Sequence, residues 1–116
     1  AVTDSLNFRV QIIRPDDAPV AEIGRQGTGP GRFAAPKGVA LDAQGRVIAV
    51  EGLYEALQWF SPDGQLLLTL GRPGSEPGQF WLAAGLCVDR RRGLLFVADS
   101  YNGRVQVFRL IEGGQP

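Results

Sequence analysis

LFVADSYNGRVQVF, the stretch from Leu95 to Phe108, holds two runs of strand composition around a cluster of turn formers. Leu94 to Ala98 is apolar and Arg104 to Phe108 alternates, while Asp99, Ser100, Asn102 and Gly103 between them favour a turn; together they signal a β-hairpin. The chain states this hairpin three times, as Val2 to Gln11, in degraded form as Val50 to Gln58, and here. Gln11, Gln58 and Gln106 set the spacing at 47 and 48 residues.

A second series keeps the same step. Gly24 to Gly27 followed by Gly31-Arg32-Phe33 answers Gly71 to Gly74 followed by Gly78-Gln79-Phe80, and Phe80 stands 47 residues after Phe33. Gly38 matches Gly85, Asp42 matches Asp89, and Pro15-Asp16-Asp17 matches Pro62-Asp63-Gly64. A period of this size marks a solenoid, propeller or array. Four short strands per period select a propeller blade. The expected class is therefore all-β, with four-stranded antiparallel blades and an incomplete ring.

Composition agrees: 44% hydrophobic and 21% charged residues with 16 glycines and 8 prolines suit a turn-rich β protein. Net charge is zero, so no global field draws nucleic acid or an anionic membrane, and no apolar run is long enough to span one. The single cysteine, Cys87, leaves the compartment unread and is expected to be a small buried hydrophobe.

Pro36-Lys37-Gly38-Val39-Ala40-Leu41-Asp42, Gly78-Gln79-Phe80, Val97-Ala98-Asp99, Asn102 to Phe108 and Pro62-Asp63-Gly64 resemble the NHL repeats of β-propeller proteins, over nearly the whole chain. The resemblance implies a six-bladed ring, of which this chain would supply about two and a half blades. Residues 1–23 would end one blade, 24–70 would form a complete blade with its connection, 71–110 most of a further blade, and 111–116 a tail. Two open edges are disfavoured in folded β proteins, so the remaining blades of the same propeller are an expected partner. The expected strands of the complete blade are Gly38 to Leu41, Val47 to Val50, Ala56 to Phe60 and Leu66 to Leu70. Gly85 to Val88, Leu94 to Ala98 and Arg104 to Leu110 follow in the next.

The chain has no histidine, which excludes a histidine-liganded metal, a Ser-His-Asp triad and a histidine base built from its own residues. Asp4, Glu51 and Asp99 recur at the end of the second strand, with Asn7 and Asn102 three residues beyond Asp4 and Asp99. They could ring a metal, as in lactonase-like propellers. A repeated Asp-x-x-Asn-x-Arg is better read as a brace that caps its own turn, with Arg9 or Arg104 beside the carboxylate. No metal, cofactor or catalytic residue is therefore assigned. Arg90-Arg91-Arg92 is read as a solvated turn, and Gly27 to Gly31 and Gly74 to Gly78 lack the order of a phosphate loop.

The middle hairpin departs from its copies, with Tyr54, Glu55 and Ala56 in place of Asn102, Gly103 and Arg104. Drift and function remain equally open there. Family geometry puts the interblade connections and the second-to-third-strand loops on one face, which would carry Arg25, Arg32, Lys37, Leu53, Tyr54, Glu55, Arg72, Trp81 and Tyr101. Aromatics with arginines are interface composition. The expected function is a non-catalytic scaffold binding a protein or peptide through Tyr54, Glu55, Trp81, Arg32, Arg72 and Leu53. A carboxylate-metal hydrolase and a single-stranded RNA binder are the alternatives, the latter opposed by the zero net charge. Phe33 and Phe80 are expected to pin the connections, and Trp59 to pack between blades.

Overall fold

The computed structural model describes residues 2–4, 9–13, 19–27, 30–81 and 83–110. Among the described residues, ten strands form three antiparallel sheets. β1 (Val2–Asp4), β2 (Arg9–Ile13) and β3 (Pro19–Ile23) make the first. β4 (Pro36–Leu41), β5 (Val47–Glu51), β6 (Ala56–Phe60) and β7 (Leu66–Leu70) follow one another across the second, a complete up-and-down unit. β8 (Ala83–Asp89), β9 (Leu94–Asp99) and β10 (Arg104–Arg109) make the third. The fold is all-β, with sheets arranged as propeller blades. The turn at 15–17, Asn7 and the 111–116 tail lie outside the described residues.

The middle blade is buried on both faces, and that is why β5 reads as a continuous apolar run rather than an alternating one. Side chains along a strand point alternately to opposite sides. Val47 and Ala49 accordingly join Phe60, Phe33, Val10 and Ile23 on one side, whereas Ile48 and Val50 join Leu57, Trp59, Phe80, Leu95 and Val97 on the other. Trp59 is 1% exposed and packs between blades.

β4 and β8 begin two residues earlier than the sequence suggests, at Pro36 and Ala83. Each has a register irregularity in its first turn of pairing, between Pro36 and Val39 and between Ala83 and Leu86, which interrupts the alternation used to find a strand. The two strands run side by side, so closely that a Cβ on Gly38 would stand 2.4 Å from the Ala84 carbonyl oxygen.

Cys87 is exposed, not buried. It pairs with Phe96 and shares the side of the third sheet that faces away from the middle blade. Val105 and Val107 lie on that side too, 60% and 53% exposed, and they stand one period after Leu57 and Trp59, which are buried. A face that the middle repeat covers is thus open in the last.

Candidate functional site: the hairpin and connection face

The β5–β6 and β9–β10 turns share one end of the sheets with the described connection residues 24–27, 30–35 and 71–81, and three side-chain devices fix that end. Phe33 and Phe80, both 0% exposed, pin the two connections. Each sits in a short backbone clasp, with Phe33 N–H donating to Arg25 O and Phe80 N–H to Arg72 O. Gly24 and Gly71 make room: both have positive φ, and a Cβ there would fall 2.3 Å and 2.6 Å from the phenylalanine rings.

The periodic glutamines are the second device. Gln58 Nε2 donates to Arg32 O and its Oε1 accepts from Gly31 N; Gln106 repeats this with Gln79 O and Gly78 N. Each glutamine ties the third strand of a blade to the connection leading into it.

The repeated carboxylates are the third. Asp99 is fully buried; its Oδ1 accepts from Trp81 N at 2.7 Å, and its Oδ2 from Asn102 Nδ2, Arg104 Nε and Gln106 Nε2. Burial alone would raise its pKa, but these donors more than offset that and hold the carboxyl below its ordinary value. Glu51 takes the same place one period earlier, accepting from Ala34 N, Ala35 N and Leu53 N. Both carboxylates are braces, each tying a hairpin to its connection. The side chains of Asp4 and Arg9 and the position of Asn7 lie outside the described residues.

The middle hairpin keeps a brace although it lacks the Asn and Arg of the last copy. Glu51 is one methylene longer than Asp99 and reaches the connection backbone without help from Asn or Arg. Glu55 keeps the left-handed backbone of its counterpart, φ 56° against 65° at Gly103. Its side chain is buried and Oε1 accepts from Ala83 N at 3.2 Å, so Glu55 joins the middle hairpin to the next blade and is not presented to a partner. The sequence shows the missing Asn and Arg but not the direction of the Glu55 side chain.

Arg25, Arg32, Lys37 and Arg72 are exposed, as are Leu53 at 58%, Trp81 at 47% and Tyr101 at 69%. Trp81 stacks on Tyr101, ring centroids 5.5 Å apart, and Tyr101 N–H donates to Trp81 O. The half-buried Tyr54 instead lines a cavity of about 200 Å³ with Pro30, Glu51, Ala56, Gln58, Thr69 and Gly71. Tyr101, exposed and in ring contact with Trp81, lies outside the binding set expected from the sequence. The available signal was periodic: Leu6, Leu53 and Tyr101 put a large apolar residue at the same turn position in every copy.

These connections, braces and antiparallel blades define an all-β repeat protein of propeller type. Residues 80–108 match the family model of the NHL repeat. No curated protein matches it. NHL repeats build β-propeller domains often used for protein interaction.

Proposed function

We propose that the chain is a non-catalytic propeller scaffold that binds a protein or peptide on the hairpin and connection face. The observation that carries this reading is the Trp81–Tyr101 pair. Two large rings remain exposed although the backbone beneath them is fastened by Asp99 and by the Tyr101–Trp81 hydrogen bond. Rigid exposed aromatics contribute contact area at little entropic cost, which makes them hot-spot material. Leu53 extends the apolar surface, Tyr54 borders a slot sized for one side chain, and Arg32 and Arg72 supply the polar rim. Glu55 is omitted from this set because it is spent on Ala83.

Peptides selected from a random library on the immobilised protein should lose about 2 kcal/mol or more of binding with Trp81→Ala or Tyr101→Ala. The melting temperature of both variants should stay near that of the parent. Selected peptides that bind both variants as tightly as the parent would remove this face from consideration.

The same reading assigns the open side of the third sheet to a further repeat unit, because Leu57 and Trp59 are covered at the equivalent positions. The isolated 116-residue chain should then self-associate, and Val105→Asp with Val107→Asp should reduce the association in sedimentation velocity. A parent chain that sediments as a monomer and melts cooperatively would oppose this assignment.

A further inference from the structure

At the opposite end of the sheets, the β4–β5 turn and the β8–β9 turn of adjacent blades enclose a cavity of about 220 Å³. Four arginines line it, Arg46, Arg90, Arg91 and Arg92, together with Asp42; Asp89 stands at the base of the second turn. Two of the four are paired. Arg46 Nε donates to Asp42 and is 13% exposed, and Arg92 Nε lies 3.7 Å from Asp89 Oδ2.

The other two have no carboxylate partner among the described residues. Arg90 Nε donates to Leu41 O across the blade boundary at 3.3 Å, a bond to a neutral carbonyl that positions the guanidinium without neutralising it. Arg91 has no side-chain hydrogen bond or ion pair among the described residues. The turn that bears them is set, since Asp89 Oδ1 accepts from the Arg91 and Arg92 N–H groups and Gly93 N–H donates to Asp89 O. Among the described residues, two guanidinium charges in excess thus line one recess, in a chain whose net charge is zero.

We infer that this recess binds a phosphoryl-bearing small molecule. A guanidinium fork matches the oxygens of a phosphoryl group in two-bond geometry, and a dianion balances the two unpaired charges where a single carboxylate would leave one. The site is walled by adjacent blades, lies at the far end from Trp81 and Tyr101, and stands independently of the proposed partner face.

Calorimetric titration of the full chain with inorganic pyrophosphate should show one saturable site. Arg91→Gln should weaken it about tenfold or more, because a charge-assisted contact is lost. Arg91 has no role in packing, so the variant should melt with the parent; Arg25→Gln, on the other face, should bind normally. Absence of saturable binding, or equal affinity in the parent and Arg91→Gln, would overturn the inference. So would an RNA oligonucleotide binding the same arginines more tightly than pyrophosphate, which would make the recess a nucleic-acid contact.

Discussion

Phe80→Ala should destabilise the protein by about 3–5 kcal/mol, the usual cost of emptying a fully buried phenylalanine site. Phe80 is 0% exposed, lies against Ile48, Leu57, Trp59 and Leu95, and has Phe108 at 6.1 Å between ring centroids. The cavity would open where the middle and last blades meet, and little can collapse into it because the Phe80 backbone is clasped on both sides by Arg72 O and Gly74 N. A loss of that size is a large share of a typical domain's 5–15 kcal/mol. Urea denaturation should place the midpoint far below that of Trp81→Ala, although the two residues are neighbours in sequence. Equal midpoints for the two variants would mean that Phe80 is not the pin of this connection.

That contrast shows what was legible in the residues. The step from Phe33 to Phe80 announced a core requirement because the position is kept in both connections, whereas Trp81 follows Ala34 and has no such constraint. Strands β5, β6, β7, β9 and β10 could be read to within a residue, because hydrophobic runs between turn formers need no tertiary information. The starts of β4 and β8 could not, because register irregularities hide two residues from any alternation. Cys87 was misread for a related reason. Residue type says that a cysteine suits a core, but only the arrangement of blades says which side of β8 is covered. Glu55 marks another limit: a carboxylate in a hairpin turn looks solvent-bound until the adjacent blade brings the Ala83 N–H to it.

Asp99→Ala should cost about 3–5 kcal/mol, the range found when one member of a buried ionic network is removed. The carboxylate is 0% exposed and is the common acceptor for Trp81 N, Asn102 Nδ2, Arg104 Nε and Gln106 Nε2. Truncation leaves these donors without it and frees the hairpin from its connection. Asp99→Asn is a sharper test of charge, since the side chain keeps its size but turns an amide N–H₂ toward either Trp81 N–H or the three side-chain donors. It should also be strongly destabilised. The pH dependence follows from the lowered pKa. Below the ordinary aspartate value of about 4, the unfolded chain takes up this proton before the folded one does, so stability rises with pH through that window. The contribution is present in full above the unfolded value and is lost as pH falls through the folded one. The parent should therefore lose stability as pH falls below the ordinary aspartate value of about 4, while Asp99→Asn should lose less, because its brace position no longer titrates. Parallel stability–pH curves for the two proteins would show that Asp99 is not held ionised by its partners, and the account of the brace would fail with it.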